Sequence, residues 1–202
     1  SGVQTKRTLW VTKNGMDSNS GLLEGDAKFT VAAAAAIAEA GDTIKIRSGV
    51  YNEANPIGLR TDVAISGEDL RLVTIVPNNA NDDVFHVRRG CLIENLSFAG
   101  VTQTTDHSRC GAVAFPPTTN SDKAISGYIS LGPANEGPSL RWRSPYIRNC
   151  TNFMKGSIGM RIDGDHVNAA FSGINSLGQD LKSMVCDSFT QYNEAGIGVS
   201  IT

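Results

Sequence analysis

Three segments far apart in the chain carry nearly the same pattern. They are Leu92-Ile93-Glu94-Asn95-Leu96-Ser97-Phe98, Tyr146-Ile147-Arg148-Asn149-Cys150-Thr151-Asn152-Phe153 and Met184-Val185-Cys186-Asp187-Ser188-Phe189. In each, an apolar residue and a variable one precede Asn, Asn or Asp, which aligns Ile93/Asn95 with Ile147/Asn149 and Val185/Asp187. Downstream, Gly159-Met160-Arg161-Ile162 matches Gly198-Val199-Ser200-Ile201 at an offset of 39 residues, and Val185 follows Ile147 by 38. Two different strands therefore repeat with almost one period. Coils stacked on one another produce this, because each hides apolar residues that a single coil cannot bury.

The rest of the chain agrees with many short strands. Alternating or continuous β-rich runs fall at 43–47, 63–66, 73–76, 84–87, 91–98, 112–115, 146–153, 159–162, 184–189 and 196–201. Strands this short and numerous fit a barrel, a sandwich or a solenoid, and the internal repeat selects the solenoid. Glycine supplies 21 of 202 residues, above the usual share of about 7%, so many corners are expected. Asn95, Asn149 and Asp187 then fall at equivalent corners, where a ladder of side-chain amides is expected to run along the stack. That structural role also accounts for Asn95-Leu96-Ser97 and Asn149-Cys150-Thr151, which match the N-glycosylation pattern.

The segment 9–53 adds an opening to this stack. An extended Leu9-Trp10-Val11 is followed by a loop bearing Asn14, Gly15, Asp17, Asn19 and Gly21, an alanine-rich helix, and Gly41-Asp42-Thr43-Ile44-Lys45-Ile46-Arg47-Ser48-Gly49-Val50-Tyr51-Asn52-Glu53. Asp26 is expected to cap the helix, with Phe29, Ala33, Ala36, Ile37 and Ala40 as its buried face and Gly41 as its stop. Ile44 and Ile46 alternate with polar residues ahead of a Gly-Val-Tyr turn, the pattern of a half-buried strand ending at a corner. This order of strand, loop, short helix, G-D-T-I strand and G-V-Y-x-E resembles the start of right-handed parallel β-helix proteins of the pectin-lyase-like class. The resemblance implies an all-β fold with a short N-terminal capping α-helix. It leaves the chemistry open, because that scaffold carries lyases, hydrolases, epimerases and inert viral fibres.

One continuous domain is expected, with the strand, loop and capping helix at 1–42 and the coils at 43–202. From about 116 to 145 the pattern lapses into Pro116-Pro117, Pro133, Pro138 and Pro145 among Ser, Asn and Gly, which describes a long excursion. Gly198-Val199-Ser200-Ile201-Thr202 stops within a strand pattern without a capping segment. A piece of a larger chain, or a partner over the last coil, is the expectation. The 18 basic and 20 acidic residues are spread evenly to a net charge of −2, so no basic stripe exists to meet nucleic acid. No apolar run nears the roughly 20 residues of a membrane span, and no signal-peptide layout opens the chain. Cys91, Cys110, Cys150 and Cys186 lack the paired spacing of zinc or redox motifs and read as reduced thiols.

Chemistry is sparse. Glu68/Asp69, Asp82/Asp83 and Asp163/Asp165 are the candidate carboxylate pairs for glycan cleavage, but neighbours on a strand point to opposite faces and all three adjoin turns. Asp106, His107 and Cys110 offer three metal ligands without a fourth. Neither a catalytic set nor a metal or other cofactor is therefore assigned. Within the excursion, Arg141, Trp142 and Arg143 place an aromatic between two guanidinium groups, suited to contact with another subunit or a sugar.

The run 127–202, in particular Tyr128-Ile129-Ser130-Leu131-Gly132-Pro133, Ser139-Leu140-Arg141-Trp142-Arg143-Ser144-Pro145 with the Asn149 segment, and Gln179-Asp180-Leu181-Lys182-Ser183 with the Asp187 segment, resembles large structural proteins of tailed bacteriophages, particularly contractile-tailed phages of marine cyanobacteria. The resemblance implies a non-catalytic module of a tail fibre, tailspike or baseplate appendage, assembled in host cytoplasm and carried in the virion. It implies contacts with other copies in a homotrimer, with neighbouring virion proteins and with host surface glycan. The alternative is a tailspike-like or other pectin-lyase-like lyase or hydrolase acting on surface polysaccharide.

Overall fold

The computed structural model describes residues 6–88, 90–100, 111–115, 128–130, 145–162, 180–182, 184–191 and 197–201. Its described elements are β-strands with a single α-helix, and its two larger sheets are wholly parallel. In chain order the elements are β1 (Thr8–Val11), α1 (Val31–Ile37), β2 (Thr43–Ile46), β3 (Gly49–Glu53), β4 (Ile57–Gly58), β5 (Ala64–Gly67), β6 (Val73–Pro77), β7 (Phe85–His86), β8 (Leu92–Phe98), β9 (Gly111–Ala114), β10 (Tyr128–Ser130), β11 (Tyr146–Asn152), β12 (Ile158–Ile162), β13 (Asp180–Lys182), β14 (Val185–Gln191) and β15 (Ile197–Ile201). One sheet runs β1-β2-β5-β8-β11-β14, with β3 and β6 joined to the far half of β8; the second runs β4-β7-β9-β12-β15. The chain thus visits the first sheet, crosses to the second, and returns one strand further on.

Register turns this path into columns of like side chains. Leu9, Ile44, Ile65, Ile93 and Ile147 lie opposite one another and are buried. In the second sheet Ile57, Phe85, Val113 and Met160 form the matching column. Each such side chain contributes roughly 1.5–3 kcal/mol through removal from water. The Phe85 ring of this second column meets the Phe98 ring of the first sheet edge to face at 5.9 Å. A third column, Tyr51, Ile75 and Phe98, changes character at Asn152 and Gln191. Asn152 is fully buried, yet its amide reaches Ser157 Oγ at 2.9 Å and Gln191 Oε1 at 3.1 Å while its oxygen accepts from Met154 N. Its hydrogen-bonding groups are thereby satisfied without water.

Corners recur at fixed places. Gly41, Asp62 and Gly90 have positive φ and each stands two residues before a strand of the first sheet. In β8, β11 and β14 the fourth of seven residues is left-handed, at Asn95, Asn149 and Ser188, so each long strand bends in its middle. Asn tolerates this conformation because its short polar side chain bonds locally. Beneath Asn95 the chain requires glycine: a Cβ on Gly67 would lie 2.0 Å from the Asn95 carbonyl oxygen.

The helix begins later than the sequence suggests. Asp26 lies in a 3-10 turn, Glu24–Asp26, with its carboxylate on Ser20. Thr30 caps α1 instead, its Oγ1 accepting from Ala33 N at 3.1 Å. Asp17 holds that entry by accepting from the Phe29 and Thr30 amides. The later start rotates the buried stripe onto Val31, Ala34 and Ala35, with Ala38 following, while Phe29, Ala36, Ile37 and Ala40 face solvent. Glu53 of β3 reaches the helix start, where the Val31 and Ala32 amides donate to it. The loop before the helix covers the outer edge of β1 through Trp10 N to Gly21 O and Lys28 N to Trp10 O.

Within the expected excursion, β10 is described, and it pairs antiparallel with β13 outside both parallel sheets. Among the described residues no helix is long and apolar enough to cross a membrane.

Candidate interaction face and a buried charge centre

The outward side chains of the first sheet form a row set by strand register: Trp10, Lys45, Ser66, Glu94, Arg148 and Asp187. Alternation along each strand sends Leu9 and Ile44 inward and Trp10 and Lys45 outward. Lys45 Nζ lies 5.8 Å and the Arg47 guanidinium 5.2 Å from the centre of the Trp10 ring. Arg47 also pairs with Glu24 at 2.7 Å and Glu68 at 3.3 Å. The Glu24 carboxyl is held below its usual range chiefly by the Arg47 hydrogen bond, and that of Glu68 by the Ser48 amide and hydroxyl. Further along, Glu94 accepts from Ser66 Oγ at 3.1 Å and from Arg148 Nε at 2.5 Å, the latter bond raising the Arg148 pKa. The small Ser66 and Gly67 leave a groove walled by Trp10, Lys45, Arg47, Glu68 and Asn95. Such a face offers an aromatic surface, cations, carboxylates and an amide to a polar partner.

Asn149 Nδ2 donates to Asn95 Oδ1 at 2.8 Å, so two of the expected corner residues bond to each other. The third expected member is corrected. Cys186 stands opposite Ile147, which puts Asp187 beside Arg148 and Ser188 at the corner above Asn149. Asp187 therefore belongs to the outward charged row, where its Oδ2 accepts from Tyr146 OH at 3.3 Å.

A second concentration of polar groups is buried against the second sheet. Asp83, just before β7, accepts from Gly111 N at 2.9 Å through Oδ1 and from Arg161 Nη2 at 2.7 Å through Oδ2; His86 Nε2 lies 2.8 Å from the same Oδ2. Gly111 opens β9 and Arg161 lies in β12, so one carboxylate ties three successive strands. All four residues of β9 are buried, so both of its faces are covered. The sequence gives little warning of this centre, since Asp83 and Arg161 are 78 residues apart; the spacing of Asp83 and His86 is its only local trace.

Asp82, Asp83 and His86 place potential ligand atoms within 4.8 Å of one another. They do not suit a cation. Both Asp83 oxygens already accept hydrogen bonds, and a metal there would adjoin the Arg161 guanidinium. The other described acidic candidates are engaged by backbone amides: Glu68 accepts from Ser48 N, 20 residues away, Asp69 from Arg71 N at 2.7 Å, and Asp82 Oδ1 from Asp83 N at 2.8 Å. Asp163/Asp165, the Asp106, His107 and Cys110 group, and the Arg141, Trp142 and Arg143 motif lie outside the described residues. Cys91, Cys150 and Cys186 are free thiols; burial pushes Cys91 up to about 11 and Cys150 up to about 12.

No protein-family model matches the chain, and comparison with curated proteins finds no match.

Proposed function

We propose that the chain is a right-handed parallel β-helix of the pectin-lyase-like kind that serves as a rigid, non-catalytic structural and interaction module of a phage tail fibre, tailspike or baseplate appendage. The supporting observation is the unbroken parallel register from β1 to β14, which stacks Leu9, Ile44, Ile65, Ile93 and Ile147 in one buried column. Such a stack resists bending and local opening, since β2, β5, β8 and β11 are each hydrogen-bonded to a strand on both sides and their buried isoleucines are packed between neighbours of the same column. The phage assignment rests on the likeness of 127–202 to tailed-phage structural proteins. Its implied setting is the virion, with other copies of the chain, neighbouring virion proteins and host surface glycan as partners.

Engagement of Glu68, Asp69, Asp82 and Asp83 in turns and ion pairs weighs for this reading over the alternative of a polysaccharide lyase or hydrolase. The test is light scattering of the purified protein, together with incubation on host-surface polysaccharide while reducing ends and unsaturated-product absorbance are followed. A homotrimer without cleavage supports the module. Released oligosaccharides overturn it in favour of the enzyme.

A further inference from the structure

We draw no further inference here: the strongest candidate, the charge-free outer face of β3 and β6 around the exposed Val50, carries nothing because nothing among the described residues shows what covers it.

Discussion

Arg161 donates from β12 to the carboxylate of Asp83, passing the intervening strand β9 to close a 2.7 Å ion pair that is almost wholly shielded from water. Removing one partner of such a pair strands the other charge in a poorly solvating place. Arg161→Leu is expected to lower unfolding free energy by about 3–5 kcal/mol. Combining it with Asp83→Asn is expected to recover part of that loss. Urea unfolding of the single and double variants measures both, and additive losses would contradict a direct pairing.

Gly67→Ala tests the bend at Asn95. The new methyl would meet a backbone oxygen at 2.0 Å, which no rotamer relieves. A loss of about 2–3 kcal/mol is expected, at the upper end of overpacking costs. Gly58→Ala, where a Cβ meets nothing within 4 Å, serves as the matched control and is expected to change thermal stability little.

Two carboxylates are expected to respond to pH with opposite sign. Burial raises the Glu53 pKa despite the Val31 and Ala32 amides. Its contribution is therefore fully present below the ordinary carboxylate range and lost as pH rises through the folded value. Glu53→Gln keeps an acceptor for the Val31 amide, so it is expected to be no less stable than the parent at pH 7 and to flatten this slope. For Asp42, burial acts upward, but the Arg7 guanidinium and the Glu39 amide outweigh it and hold the pKa below its usual range. Its contribution is present above the ordinary value and lost as pH falls through the folded one. Asp42→Asn is expected to be less stable at pH 7, with the difference closing in acid. Thermal melts across pH 3–8 read both signs.

The thiols are expected to separate by reactivity. Burial raises the pKa of all three of these thiols, but Cys91 and Cys150 are enclosed whereas Cys186 is exposed. Alkylation at pH 7.5 followed by peptide mass spectrometry is expected to modify Cys186 in the native protein and to reach Cys91 and Cys150 only after unfolding. Equal labelling of Cys150 and Cys186 would contradict the packing of β11 against β14.

How much of this was legible in the sequence depended on how local each signal is. Ile93 and Ile147, with Asn95 and Asn149, could be aligned because inward side chain and corner residue keep the same spacing in both strands. The next repeat slipped by one because Val185 looks more like a core aliphatic than Cys186, the residue that stands opposite Ile147. A one-residue slip exchanges the faces, which moved Asp187 from the charged row to the corner. The helix cap was misplaced for a related reason: Asp26 and Thr30 are both acceptable caps by composition, and the choice is made by Asp17, which bonds the Phe29 and Thr30 amides from 12 and 13 residues away. The Asp83–Arg161 pair has no local pattern at all, because it exists only once β7, β9 and β12 have paired side by side.

The covered edge of β1 gives the molecule a direction. With the Trp10 amide and carbonyl both taken by the loop that follows β1, that flank cannot template a foreign strand, in the way that a blocked terminus stops a polymer from growing backwards. A further strand could pair with β1 only by displacing that loop, and amyloid-like recruitment through β1 is closed off without any need for charged gatekeepers on that strand.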